Sequence, residues 1–202
     1  MKLIGLDFDN TLIDYDLLFY DTAFNLDLIP QNIKKSKIAV REYLLKIGKE
    51  DFFTMIQGEV YGKSIQFAKQ SEGVMDALMC LKSKGYEFVI VSHKTRFPII
   101  GRKYDLHKSA LDWLKKNSFM DKKGLNIKFE NIHFLSTKLN KINKINSIKC
   151  DYFIDDLEEI LNMIDCNVCR IHYNRDNENK YLNDNFYTFN NWKKLNSLEI
   201  FQ

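Results

Sequence analysis

The strongest constraint on the fold is a series of short apolar runs that alternate with helical patterns. Runs that read as buried strands are Leu3–Asp7, Phe88–Ser92, Ile132–Leu135, Tyr152–Asp155 and Val168–His172. Their largely continuous apolar character favours strands that are covered on both faces, as in a parallel sheet. Helical periodicity is found over Gly73–Lys84, Asp105–Asn117 and Leu139–Ile148. Strands that alternate with helices predict βαβ units and an α/β fold.

Residues 15–72 interrupt this alternation. The segment has helical apolar stripes, which include Leu17, Phe24, Val40 and Leu44, and it contains no convincing strand. With 202 residues, 45% of them hydrophobic, the chain can form one large core and a smaller insert. We therefore expect a core domain of residues 1–14 and 73–202, with a helical domain of residues 15–72 inserted after the first strand.

Charge and composition exclude several classes of protein. The net charge of +3 comes from 30 basic and 27 acidic residues in mixed order, so no nucleic-acid or membrane surface is predicted. The first residues do not resemble a targeting segment, and no apolar stretch approaches the roughly 18–20 residues of a membrane span. The four cysteines are too scattered for a disulfide framework. We expect a cytoplasmic protein with reduced thiols.

Polar side chains follow four of the predicted strands at the point where each strand ends. These residues are Asp7, Asp9 and Thr11 after the first strand, Ser92 after the second, Lys138 after the third, and Asp155 and Asp156 after the fourth. In an open α/β sheet the ligand lies beyond the carboxyl ends of the strands. We therefore expect these side chains to lie close together.

The residue types at these strand ends indicate a particular chemistry. Carboxylates that lie close together repel one another unless a cation holds them, and an oxygen-rich acidic site suits Mg²⁺. Hydroxyl groups and a lysine supply the hydrogen bonds and positive charge that a phosphoryl group needs. The sequence therefore predicts a metal-assisted phosphoryl-transfer site.

Four segments in order resemble the motifs of the haloacid dehalogenase (HAD) superfamily. They are "DFDNTL", "VIVSHKT", a lysine in "STKLNKINK", and "DYFIDDL". The resemblance implies a Rossmann-like parallel sheet with a helical cap of the C1 type inserted after the first strand. It also implies that Asp7 is the nucleophile and that Asp9 is the general acid and base.

The resemblance also implies how the site holds its ligands. Mg²⁺ would be bound by Asp7, by the backbone carbonyl of Asp9 and by Asp155, with Asp156 as a further ligand or support. Ser92 and Thr11 would contact the phosphoryl group. The motif lysine would be Lys138, which directly follows the third strand, or, as the second choice, Lys141.

The loop "SHKTRFPIIGRKYDLH" begins inside the predicted site and is rich in basic residues. His93 and Arg96 could contact an anionic part of the substrate, because arginine suits phosphates and carboxylates. The alternative is that these side chains are solvated loop residues.

The second aspartate of the first motif, Asp9, distinguishes the reactions of this superfamily. Members that hydrolyse carbon–halogen bonds lack it and the transport ATPases carry lysine there, whereas phosphatases and phosphomutases keep it. We expect Mg²⁺-dependent hydrolysis of a small phosphorylated metabolite, a sugar phosphate or a nucleotide. A phosphomutase or phosphotransferase, and a catalytically quiet module that binds a phosphorylated ligand or a protein, are the alternatives. The sequence does not predict an oligomeric state.

Overall fold

A computed structural model describes residues 2–175 and 185–202 of the chain. It divides into two compact units. The first unit comprises Met1–Ile13, Gln70–Lys94 and Asn117–Gln202, and the second comprises Asp14–Lys69 and Thr95–Lys116. None of the helices within the described ranges has the length and apolar character of a membrane-spanning helix.

The strands, in chain order, are β1 (Leu3–Leu6), β2 (Ile13–Asp14), β3 (Lys69–Gln70), β4 (Glu87–His93), β5 (Ile132–Leu135), β6 (Tyr152–Asp155), β7 (Cys169–Tyr173) and β8 (Tyr187–Phe189). The α-helices are α1 (Asp16–Asn25), α2 (Lys37–Lys46), α3 (Glu50–Tyr61), α4 (Val74–Ser83), α5 (Leu106–Lys116), α6 (Lys138–Ile148) and α7 (Glu158–Met163). Short 3₁₀ segments lie at Ser64–Phe67, Phe129–Asn131, Trp192–Ser197 and Glu199–Phe201.

The described part of the first unit contains a six-stranded parallel sheet in the order β5-β4-β1-β6-β7-β8. The chain builds outward from β1 through β4 to β5, and then returns to the other side of β1 to add β6, β7 and β8. The strand order therefore reverses beside β1, where an open α/β sheet forms its ligand site. The predicted α/β class with a Rossmann-like parallel sheet is confirmed, and β8 is a further strand that was not predicted.

Close packing in the middle of the sheet depends on a glycine. A Cβ atom on Gly5 in β1 would lie 2.3 Å from the ring of Phe153 in β6, so that only glycine leaves room for this ring. Phe153 is fully buried in a core that also includes Val91, Ile142 and Ile145. This core fixes α6 against the strands that carry the predicted site.

The second unit is mostly helical. It contains α1, α2, α3 and α5, and its aromatic core includes the stacked rings of Phe19 and Phe53. The buried Trp113 of α5 donates from Nε1 to the carbonyl oxygen of Ala68 at 3.0 Å. Because of this packing, residues 95–116 group with the helical segment, whereas the sequence assigned them to the core domain. The cap function of this unit stays a prediction.

Candidate active site

Asp7 follows β1 directly, and Asp155 ends the neighbouring strand β6. The backbone amide of Asp7 donates to the carbonyl oxygen of Ile154 at 2.9 Å, which continues the pairing of these strands. Both aspartates are buried. Because the strands are adjacent and parallel, their carboxyl ends bring the two carboxylates to the same edge of the sheet.

A buried lysine joins these carboxylates. Lys141 lies on α6, and its Nζ is 2.5 Å from Oδ1 of Asp7 and 2.6 Å from Oδ2 of Asp155. Its side chain is only 2% exposed. The ammonium group is therefore held between the two aspartates, where it offsets the cost of burying their charge.

Lys138, which was the first choice for the motif lysine, does not lie in the site. Its side chain is half exposed and pairs with Glu159 on the surface. Lys138 is the first residue of α6, and Lys141 lies almost one turn further along, on the face that packs against the sheet. The geometry therefore reverses the expected order and favours Lys141 as the motif lysine.

Asp9 is paired with a second buried lysine. The Nζ of Lys94 lies 3.0 Å from Oδ1 and 2.8 Å from Oδ2 of Asp9. Asn10 has a left-handed backbone with φ of 63°, which turns the chain directly after Asp9. Each of the two aspartates in the first motif thus has its own lysine.

Asp156 is contacted by residues from the two strands that flank β6: Thr11, which follows β1, and His172 in β7. The Oγ1 of Thr11 donates to Oδ1 of Asp156 at 3.4 Å. The Nε2 of His172 lies 3.2 Å from the backbone oxygen of Asp156, and its Nδ1 lies 3.5 Å from Glu158. Burial lowers the pKa of His172, which favours a neutral ring at this position. These contacts hold the peptide of Asp156 beside β7.

The remaining predicted residues have different surroundings. Ser92 is buried at the end of β4, and within the described ranges its Oγ has no hydrogen-bond partner. His93 is exposed, with Nε2 3.2 Å from the backbone oxygen of Ser136. Arg96 belongs to the second unit, where its Nε donates to Asp105 at 3.1 Å. The substrate contacts assigned to these three residues stay predictions.

Burial shifts the acidity of the central groups. It raises the pKa of Asp7 to about 7, with Lys141 acting in the opposite direction and Asp155 and Asp9 raising it further. It also raises the pKa of Asp155 to about 6, again against the effect of Lys141. Burial alone would lower the pKa of Lys141, but Asp155 and Asp7 outweigh it and the pKa is raised. One ammonium group therefore does not fully compensate two buried carboxylates.

The residues fit a divalent cation. Asp7, Asp155 and Asp156 each offer a carboxylate oxygen, and these oxygens lie within 4.8 Å of one another. With the four aspartates and the two buried lysines all ionised, these six groups carry an excess of two negative charges, the charge of one Mg²⁺ ion. Hard oxygen donors of this kind suit Mg²⁺. The side chain of Asp9 is paired with Lys94, and a metal contact through its backbone carbonyl stays a prediction.

The fold is similar to known structures, although no family model and no curated protein matches the sequence. A phosphoserine phosphohydrolase-like protein from Francisella tularensis subsp. tularensis SCHU S4 is 20% identical over 98% of this chain and 100% of its own, with a TM-score of 0.60. The HAD-hydrolase YfnB from Bacillus subtilis, solved with bound magnesium, is 13% identical over 100% and 98%, with a TM-score of 0.52. The chain has the HAD fold.

The solved structures that resemble this chain are not all named for the same reaction. A dehalogenase with an intermediate complex is 14% identical over 98% of this chain and 96% of its own, with a TM-score of 0.57. The fold is therefore shared by structures with different chemistry, and the reaction has to be inferred from the side chains of the site.

Two residues of this candidate site were not identified from the sequence. Lys94 was grouped with the basic loop, although an extended chain would place it on the same side as Ser92, two residues earlier. His172 was predicted as the last residue of the fifth strand and not as part of this site, and its pairing opposite Asp155 follows from the order of the strands. The two-residue spacing from Ser92 could have identified Lys94 from the sequence. Identifying His172 required the order of the strands in the sheet.

Proposed function

We propose that this chain is a Mg²⁺-dependent phosphatase, which hydrolyses a small phosphomonoester through a phosphoryl group on Asp7. The observation that carries the proposal is the second carboxylate, Asp9, which is held by Lys94 next to the buried Asp7. HAD members that break carbon–halogen bonds lack this aspartate, whereas phosphatases need a group that can move protons at this position. Asp9 therefore favours phosphoryl transfer over dehalogenation.

In the first step, a carboxylate oxygen of Asp7 attacks the phosphorus atom of the substrate. The bond between phosphorus and the leaving oxygen breaks, and Asp9, which has to enter this step protonated, donates its proton to that oxygen. Lys141 fixes Asp7 through Oδ1. The buried hydroxyl of Ser92 is in a position to donate to a phosphoryl oxygen, which would satisfy a side chain that has no partner within the described residues.

In the second step, water attacks the phosphorus atom of the aspartyl phosphate. Asp9, now ionised, takes a proton from this water, and the bond between Asp7 and phosphorus breaks. Inorganic phosphate leaves and Asp7 is restored. The same carboxyl group thus serves as the acid of the first step and the base of the second.

The metal ion would be held by Asp7, by Asp155 or Asp156, and by the backbone carbonyl of Asp9. When bound, it would reduce the repulsion between the anionic nucleophile and the anionic phosphate. The substrate class that we propose is a small phosphorylated metabolite in the cytoplasm, such as a sugar phosphate or a nucleotide. This class is supported by the helical second unit, because a helical insert of this kind is more common, within the superfamily that the motifs resemble, in members that act on small phosphorylated metabolites than in those that act on proteins.

The test is phosphate release from a panel of sugar phosphates, nucleotides and an aryl phosphate, with Mg²⁺ and with a chelator. Asp7→Asn serves as the blank, because it removes the nucleophile and conserves the shape of the side chain. We expect metal-dependent release that disappears in Asp7→Asn. Release that continues in Asp7→Asn would contradict the covalent mechanism, and silence from folded protein would favour a phosphotransferase or a binding module.

A further inference from the structure

The ion pair between Lys94 and Asp9 is unusually well enclosed on the lysine side. The side chain of Lys94 is 2% exposed, whereas that of Asp9 is 17% exposed. The ammonium group also lies 5.5 Å from the ring centre of Phe8. The lysine therefore lies in the interior, and the carboxylate is the more accessible member of the pair.

The backbone of Lys94 is fixed as well. Its amide donates to the carbonyl oxygen of Leu135 at 2.8 Å, where β5 ends. The hydrogen bond extends the pairing of β4 and β5 by one residue. A long, rotamer-rich side chain is thus anchored at one end by the sheet and at the other end by Asp9.

The contacts of Lys94 restrict how Asp9 can turn. A carboxylate that is held at both oxygens loses the freedom to rotate about its side-chain bonds, which an accessible aspartate otherwise has. Proton transfer requires the acid to lie within hydrogen-bond distance of the leaving oxygen, and small misplacements reduce the rate strongly. A fixed carboxylate therefore suits the role proposed for Asp9.

We propose that Lys94 is a positioning residue, which holds the carboxylate of Asp9 in the orientation needed for proton transfer. The inference rests on the proposed function, because it assigns to Lys94 an effect through Asp9. A direct contact with the substrate is less compatible with the structure. The side chain of Lys94 is only 2% exposed, and its ammonium group lies within 3.0 Å of both oxygens of Asp9.

The kinetic test compares Lys94→Met and Lys94→Arg with wild type, using an alkyl phosphate and an aryl phosphate. An alkoxide leaving group has to be protonated as it leaves, whereas an aryloxide is stable enough to leave with little protonation. We therefore expect Lys94→Met to lower kcat/KM, which reports the transfer of the phosphoryl group to Asp7, about 100-fold for the alkyl phosphate and less than about 10-fold for the aryl phosphate. Lys94→Arg should retain more activity, because it keeps the charge and can bind both oxygens.

A matched control is Lys193→Met, which removes a lysine that pairs with Glu72 on the surface of the same unit. We expect the control to have wild-type kinetics. A loss of kcat/KM in Lys94→Met that is equal for both leaving groups would overturn the positioning role.

A double-mutant cycle with Asp9→Asn separates action through Asp9 from action on the substrate. If Lys94 acts through Asp9, Lys94→Met causes no further loss in the Asp9→Asn background. A further loss of about 10-fold or more in that background would show that Lys94 contacts the substrate directly, and the inference would be wrong.

Crystal structures of wild type, Lys94→Met and Lys94→Arg supply a readout that does not depend on activity. We expect Asp9 to have one orientation in wild type and in Lys94→Arg, and to turn away or occupy several orientations in Lys94→Met. An unchanged Asp9 in Lys94→Met would overturn the inference. If wild type released no phosphate, the proposed function would fail and the role in proton transfer with it, whereas the structures would still show whether Lys94 fixes the orientation of Asp9.

Discussion

At the scale of single residues, the site depends on how two lysines pair with three aspartates. Lys141 contacts Asp7 and Asp155, and Lys94 contacts Asp9. A buried charge that loses its partner strongly destabilises the folded protein. Each lysine therefore affects both the stability of the fold and the chemistry of the aspartates that it contacts. Lys138, with a surface partner, has neither effect.

The first prediction distinguishes these lysines. Lys141→Met should lower kcat/KM for phosphate release by a factor of about 100 or more, because Asp7 loses the cation that fixes it. Lys138→Met should change kcat/KM by less than about 2-fold, since surface ion pairs contribute little. Rates are measured at saturating Mg²⁺, with circular dichroism to show that both variants are folded. A large loss of kcat/KM in Lys138→Met and a small one in Lys141→Met would identify Lys138 as the motif lysine instead.

The second prediction concerns how the free energy of unfolding depends on pH. Burial raises the pKa of Asp7 to about 7 and that of Asp155 to about 6, from the ordinary value of 3.8. The unfolded chain therefore releases these protons at lower pH than the folded chain, and the folded state loses stability as pH rises through the raised pKa values. In a chelating buffer, the free energy of unfolding should fall between about pH 4 and pH 8.

The variant Asp7→Asn tests which group causes this dependence. It removes one uncompensated carboxylate and leaves Lys141 paired with Asp155, so in chelator at pH 8 it should be more stable than wild type by roughly 1–3 kcal/mol. Asp112→Asn, which removes a carboxylate that is half exposed on the surface, is the control. The measurement is urea unfolding. A variant no more stable than wild type would contradict the assignment.

At the scale of elements, the position of Lys141 depends on where α6 begins. Thr137 caps this helix, and its side chain accepts a hydrogen bond from the amide of Asn140 at 3.1 Å. Thr137→Ala should lower the free energy of unfolding by about 1 kcal/mol, whereas Thr137→Ser should retain most of it because the hydroxyl remains. Urea unfolding measures both. Equal losses in the two variants would show that the cap does not stabilise the helix.

The phase of α6 also explains why the sequence did not identify the lysine. The apolar spacing predicted the helix, and the strand before it was predicted over the observed residues. However, one residue of helix rotates the side chain by about 100°, and three residues advance it by about 4.5 Å. A pattern that leaves the cap uncertain by one residue therefore cannot choose between Lys138 and Lys141.

Other elements differ in how well their sequence defines them. Five strands of the sheet could be predicted, because largely continuous apolar runs end in polar residues. The strand β8 has three residues, of which only Phe189 is buried, and so short a run has no distinct pattern. The aspartates and Ser92 were predicted because strand ends of a parallel sheet converge, but the pairing of Lys94 with Asp9 required side-chain geometry.

At the scale of the whole molecule, the sequence predicted one α/β core with a helical insert. The structure groups Thr95–Lys116 with the insert, since Trp113 of α5 bonds to Ala68. The periodicity of α5 shows that one face is buried, but it does not show which partner covers that face. Long-range grouping of this kind is the part of the fold that a single sequence defines least.

The measurement that tests the central claim most directly is the trapping of the phosphoryl group on Asp7. Asp9→Asn should slow the hydrolysis of the aspartyl phosphate, which is stable when turnover is quenched in acid. With an aryl phosphate and Mg²⁺, mass spectrometry of the digested protein should find one phosphoryl group on the peptide that contains Asp7, and none in Asp7→Asn. Phosphate release without any phosphoryl group on Asp7, or with the group on another residue, would contradict the account.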